Sequence, residues 1–296
     1  MGLLINYHKK IATSIKAYAQ EKMAHFNKFV SFLHKNNHLP FAIKKRVFDA
    51  CLISAILYGC ESWLNGDLKP VAKLYNWSLK YLLGVRMNSC NDICYVESGY
   101  NSLTSIVKLK QRNYFVKIAN ERYGLQDDPL GFALRLVLNN TYKTSNYLKN
   151  LINDNDDDHL QDSESLKTSI RQSDSSRRRV YCNSINGDLS THSIYSTKHN
   201  IFEPYRIAFT RFRISSHNLA VETGRWNRRG RGRLPMEERL CSCGQIQSEE
   251  HVISSCPLSQ SLRDNYNFSN INDLFTGIFP NETLCKIIFE VLDLYT

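Results

Sequence analysis

The chain has 296 residues, 42% of them hydrophobic and 11% aromatic, enough for one large or two ordinary domains with real cores and against global disorder. Its formal net charge of +10 favours a polyanionic partner, nucleic acid or an anionic surface. The nine cysteines are an odd number, and six of them, Cys51, Cys60, Cys90, Cys94, Cys182 and Cys285, lie mostly in apolar stretches, which fits a reduced intracellular protein rather than a secreted disulfide scaffold.

Met1 to Ile5 is apolar, but Asn6, His8, Lys9 and Lys10 follow at once. No signal-peptide core can form there, and a cytoplasmic or nuclear location is expected. Residues 3–37 carry helical periodicity, with Ile5, Ile11, Ile15, Ala19, Met23, Phe26, Val30 and Leu33 three to four apart. Lysines fill the opposite face, either as a solvated face or as a functional basic surface. Pro40 suits the first turn of a second helix. Residues 41–64 are apolar nearly all round beyond Arg46, which predicts a buried central helix ended by Asn65-Gly66. The longest apolar run there, Ala50 to Gly59, is too short to cross a bilayer, so no membrane association is expected. A third helix is predicted over Leu68 to Leu83, closing at Gly84. Asp92 to Gly99 reads as loop or short helix, Leu103 to Glu121 as a fourth helix, and the stretch from Pro129 to Leu138 as a fifth. Strand signals are sparse. The expected class is mainly α, with a helical unit over residues 1–138.

Residues 139–176 are rich in Asn, Asp, Ser, Thr and Lys. Asp154, Asp156, Asp157, Asp158, Asp162 and Glu164 stand with no Lys or Arg between Asn150 and Leu166. That composition predicts a flexible acidic linker. Residues 177–296 then form a second, Arg-rich unit opened by Arg177-Arg178-Arg179. From Tyr205 to Arg239 the only acids are Glu222, Glu237 and Glu238, against arginines that include Arg211, Arg213, Arg225, Arg228, Arg229, Arg231 and Arg233. No lysine occurs there. The bias matters because guanidinium binds phosphate bidentately and stacks on bases, which ammonium does not. Tyr205, Phe209, Phe212 and Trp226 interleave with the arginines. They could stack on bases, but burial of Phe209 and Phe212 in the core of the unit is the stronger expectation. GRWNRRGRGR (224–233) is too polar for a core and reads as a nucleic-acid contact.

The sharpest motif is LCSCGQIQSEEHVISSCPL (240–258). It sets Cys241, Cys243, His251 and Cys256 in the spacing C-x-C-x7-H-x4-C. Three thiols and an imidazole form a complete tetrahedral set for Zn²⁺. Gly244 follows the second Cys, where a tight ligand-bearing turn favours a residue tolerant of positive φ. Ser248 to Ser254 reads as a short helix carrying His251. Four protein ligands leave no open position, so the expected ion is a structural Zn²⁺ rather than a catalytic one. The competing reading is three unrelated cysteines beside a surface histidine, and C-x2-C is the commoner opening.

Three stretches share a resemblance. AILYGCESW (55–63) with LYNWSLKYLLGVR (74–86) resembles the segment after the polymerase palm in reverse transcriptases of non-LTR (LINE-like) retrotransposons. RFRISSHNLAVETGRW (211–226) is similar to the run those proteins carry ahead of a C-terminal zinc knuckle, and RLCSCGQIQSEEHVISSCPL (239–258) is similar to the knuckle. The resemblance implies a thumb-like helical region and a zinc-knuckle region. It implies metal ligation by Cys241, Cys243, His251 and Cys256, and nucleic-acid binding by the helical and Arg-rich regions. It does not carry over the polymerase activity. Asp-Asp occurs only at Asp127-Asp128, before Pro129, and within Asp156 to Asp158, without the flanking strand pattern that holds two metals. The expected function is RNA-preferring binding of nucleic acid, without enzyme activity and without a small-molecule substrate. Two alternatives remain: an RNA-directed DNA polymerase, if a palm is encoded upstream of Met1, and a zinc-knuckle module that binds protein.

Overall fold

A computed structural model describes residues 11–64, 66–122, 124, 127–153, 158–195, 201–225 and 232–295. Among these residues the protein is mainly α-helical and has no β-strand. A single isolated antiparallel bridge pairs Leu240 with Ile246.

The chain divides into two compact units, and each is assembled from separated stretches of sequence. The first takes Met1–Phe32, Val47–Ser78 and Asn101–Leu166; the second takes Leu33–Arg46, Leu79–Tyr100 and Lys167–Thr296. The expected divisions at 138 and 176 do not coincide with these. Buried ion pairs show why residues 33–46 and 79–100 join the second unit. Lys44 pairs with Glu203 at 2.9 Å and Glu97 with Arg213 at 2.5 Å. Neither buried charge is tolerable without its distant partner.

In the first unit the helix Ile11–Lys35 turns Ile15, Tyr18, Ala19, Phe26 and Phe29 into the core, the face its periodicity predicts. Residues 1–10, where that helix was expected to start, lie outside the described residues. The expected continuous helix over 41–64 is broken. A helix Phe41–Val47 passes into a π-helical turn Phe48–Ile53, one further turn Ser54–Ile56, and a 3₁₀ turn Cys60–Ser62. Gly59, at φ +69°, makes the reversal between the last two. Nor is the stretch buried all round, since Cys51, Ser54 and Tyr58 are exposed. Breaking the helix strands carbonyls at its end. Tyr18 answers one of them, its hydroxyl donating to the Ala55 carbonyl at 2.9 Å. Its ring meets the buried Trp63 edge-on at 5.1 Å.

The helices Leu103–Arg122 and Pro129–Leu138 stand where predicted. Asp128 caps the second, accepting from the Gly131 N–H at 2.7 Å. The stretch expected to be a flexible linker instead contains two helices, Lys143–Asn153 and Asp158–Arg171. Its polar composition hides apolar residues at helical spacing. Leu148 and Leu151 are buried with Ser145, and Ile170 is buried further on. Tyr147 donates to the Gln111 side chain at 2.6 Å, and Gln111 donates to the Cys60 carbonyl at 3.0 Å. Asp154, Asp156 and Asp157 lie outside the described residues.

In the second unit the helix Glu203–Arg213 packs on the C-terminal helix Asn281–Asp293. Phe209 and Phe212 are fully buried, as are Cys285, Ile287, Ile288 and Val291. The core of this unit also holds charge. Arg213 grips Glu97 with two guanidinium nitrogens, at 2.5 and 3.1 Å. Tyr181 and Tyr195 donate to the same carboxylate at 2.7 and 3.0 Å. Four donors thus satisfy one buried carboxylate, the condition under which such a charge can be kept. Burial beside Glu97 pushes both phenols well above their usual range.

Candidate metal centre

The centre grows from a tight hairpin and the short helix after it. The Cys241 N–H donates to the Gln245 carbonyl at 2.7 Å, and the Gly244 N–H to the Cys241 carbonyl at 2.9 Å. Gly244 sits at φ +87°, the left-handed region where a side chain is strained. The hairpin aims Cys241 and Cys243 at the helix Glu249–Ser254. Ser248 caps that helix by accepting from the His251 N–H at 3.1 Å. The Cys256 N–H donates to the His251 carbonyl at 2.9 Å, which turns the chain back so that Cys256 joins the cluster.

One ligand atom from each of Cys241, Cys243, His251 and Cys256 lies within 4.8 Å of all the others. Sγ of Cys241 stands 3.7 Å from Sγ of Cys256, and Sγ of Cys243 stands 3.9 Å from it. Tetrahedral thiolates about 2.3 Å from a common ion stand about 3.8 Å apart. A disulfide would need about 2.05 Å, and all nine cysteines are free. His251 places Nε2 3.2 Å from Sγ of Cys243, while its Nδ1 lies 3.1 Å from the Ser255 hydroxyl. With Nε2 turned to an ion, Nδ1–H donates to Ser255, the outer contact that orients a ligating imidazole. The Cys241 thiol is drawn down to about 6: burial raises it, but the Cys243 N–H and the side chains of His251 and Cys256 outweigh that. The four residues can hold a metal ion.

Several residues that hold this centre in place carry no signal in the sequence. Arg263 donates to the Ile253 and Cys256 carbonyls, at 3.2 and 2.8 Å. Arg239 is buried, donating to the Val221 carbonyl at 2.8 Å and to the Leu234 carbonyl at 2.7 Å. A Cβ on Gly224 would stand 2.7 Å from the Arg239 side chain. Glu249, at the head of the ligand helix, meets Nε2 of the buried His217 at 2.9 Å and the Ser215 hydroxyl at 3.0 Å. Its carboxyl is held at about 2: burial raises it, but the His217 imidazole, the Glu249 N–H and the Ser215 hydroxyl outweigh that. The Ala220 N–H donates to the Gln247 side chain at 2.6 Å. The Arg-rich segment is therefore tied to the Cys/His cluster by the buried contacts of Ser215 and His217 with Glu249.

The arginines expected at a nucleic-acid surface separate. Arg213 is a correction. It is buried against Glu97, so its charge is spent inside the fold. Arg225 donates to Glu222 at 2.8 Å and to the Ser176 hydroxyl at 2.7 Å. Glu222 is itself buried and also takes Arg177 at 2.7 Å. Arg211 and Arg233 are exposed, and Arg211 donates Nε to the Gly84 carbonyl at 2.7 Å. Arg228, Arg229, Arg231 and Trp226 lie outside the described residues. Among the described residues, no helix is long and apolar enough to cross a membrane.

No family model, curated protein or solved structure matches this chain.

Proposed function

We propose that the protein is an RNA-preferring nucleic-acid-binding region of a non-LTR retrotransposon reverse transcriptase type, lacking a polymerase centre, and that a structural Zn²⁺ organises its C-terminal unit. The observation that carries the reading is the cluster of three thiols and one imidazole at tetrahedral spacing. Beside it lies the Arg-rich segment, joined to it through His217 and Glu249. Cys241, Cys243, His251 and Cys256 would hold the ion. With it in place, about twenty residues that bury little apolar surface keep one shape. The exposed arginines of the segment, Arg211 and Arg233, supply charge-assisted contacts to phosphate. RNA is favoured over duplex DNA because zinc knuckles read single-stranded or structured RNA.

The test is RNA binding by the full chain, with and without zinc, across a salt series. Tight binding that falls steeply with salt and needs the bound metal agrees with the reading. A zinc-loaded chain that ignores RNA at low salt overturns it.

A further inference from the structure

The four candidate ligands do not share the same surroundings. The Cys243 N–H faces the Cys241 thiol, and the Gln245 N–H faces the Cys243 thiol. Nδ1 of His251 meets the Ser255 hydroxyl at 3.1 Å. The hairpin and the short helix thus supply an outer contact to each of these three ligands from within a few residues. Cys256 is placed differently. It lies just past the helix Glu249–Ser254 and is fully buried, so water does not reach its sulfur. Its N–H is spent on the His251 carbonyl, and its own carbonyl takes Arg263 at 2.8 Å. A buried thiolate needs a donor as any buried charge does.

The group that faces it comes from the far end of the chain. Tyr295 follows the helix Asn281–Asp293 and donates its N–H to the Leu292 carbonyl at 3.2 Å. Its hydroxyl is buried and makes no hydrogen bond of ordinary geometry among the described residues. Beside it stand the Cys256 thiol and the Ser259 hydroxyl, with Cys241 close by. Ser259 is already engaged, donating to the Val252 carbonyl at 2.6 Å and accepting from Arg263 at 2.8 Å. That leaves the Cys256 sulfur as the less occupied acceptor for the phenol proton. A neutral thiol accepts weakly, and beside one the phenol is an orphan. A coordinating thiol is a thiolate, and a hydrogen bond to an ionised acceptor is a strong one.

We propose that Tyr295 is a positioning residue of the metal centre, its hydroxyl donating to the Cys256 thiolate when the ion is bound. The proposal rests on the metal-centre reading above and completes its outer contacts from the C-terminal end of the chain. It also gives ion loading a mechanical consequence. The helix that ends just before Tyr295 packs on the helix Glu203–Arg213, with Phe289 against Tyr205 at 5.0 Å. An ion that satisfies Tyr295 therefore fixes the C-terminal helix, and through it the helix that opens the Arg-rich segment.

The experiment uses the full chain and Tyr295→Phe, which removes the hydroxyl and keeps the ring. Zinc affinity is read by chelator competition. The state of the thiolates is read from the sulfur-to-metal charge-transfer band of the Co²⁺-loaded chain, and the fold from thermal melts with and without metal. Tyr295→Phe should weaken zinc binding about tenfold, the low end of what the loss of an outer contact costs. It should move the cobalt band to longer wavelength, because a sulfur without its hydrogen bond gives up charge more readily. The metal-free variant should melt no lower than the metal-free wild type, since the hydroxyl is unpaired there and its loss removes a burial cost. A packing role alone would lower both melts together and leave the band unmoved. The affinity loss and the band shift are both required: if either is absent, the proposal is overturned while the metal-centre reading stands. If the wild type takes up neither Zn²⁺ nor Co²⁺, the metal-centre reading itself falls and Tyr295 with it.

Discussion

Nε2 of His217 lies 2.9 Å from Oε1 of Glu249, with both residues buried. The contact joins the segment that follows the helix Glu203–Arg213 to the first turn of the helix that carries His251. Leu219 closes the other side of the ring, its N–H donating to Nδ1 at 3.3 Å. Removing the imidazole strands a carboxylate at the head of the helix that carries His251.

His217→Ala is therefore expected to destabilise the C-terminal unit by about 2–3 kcal/mol, the usual range for orphaning a buried hydrogen-bonded acid. The same change should loosen zinc, because the orientation of His251 depends on that helix turn. A thermal melt and a chelator competition measure the two effects. An unchanged melt would show that the contact is dispensable.

One Zn²⁺ per chain is expected on elemental analysis. Cys243→Ser should remove it, since three ligands do not close a structural site. Stripping the metal should cost the hairpin at Cys241 to Ile246 its fixed form, detected as lost amide dispersion in that region. A metal-free protein with the C-terminal unit intact would contradict this.

Arg213 and Arg233 carry the same charge in opposite surroundings. Arg213→Ala leaves Glu97 buried without its cation, and should lower stability by about 3–5 kcal/mol. For a chain of this size the melting midpoint then falls on the order of 10 °C. Arg233→Ala, at an exposed site, should change stability by about 0.5 kcal/mol or less. Equal melting of the two variants would refute the assignment of Arg213 to the core.

For the loop at 224–233, changing Arg229, Arg231 and Arg233 together to Ala should flatten the log K against log salt slope by about two units, from about 0.7 per phosphate contact. Binding to unrelated RNA sequences should weaken about equally, because phosphate contacts carry no base information. A sequence-dependent loss would mean that these side chains read bases instead.

The 296-residue chain is expected to show no templated nucleotide incorporation with Mg²⁺, given the placement of its Asp-Asp pairs. Polymerisation assays on the purified chain test this, and incorporation above background would overturn it.

The sequence by itself determined the helical class, because apolar residues recur at helical spacing over Ile11–Lys35 and Leu103–Arg122. It also determined the four candidate ligands. A C-x-C opening, the Gly244 turn and a Ser248-capped helix are all local, so their geometry is encoded within about twenty residues. The burial of Phe209 and Phe212 was legible too, since aromatics on a helix favour a core. Only the tertiary structure decided the rest. The sign of an arginine's role depends on whether a carboxylate distant in sequence reaches it. Glu97 meets Arg213 and withdraws it from the surface, and Glu222 engages Arg225. The polar stretch after 139 folds as helix because Leu148 and Leu151 find a buried surface, which no count of aspartates could reveal. His217 has no local signal at all: its role exists only where Glu249, thirty-two residues later, is brought against it.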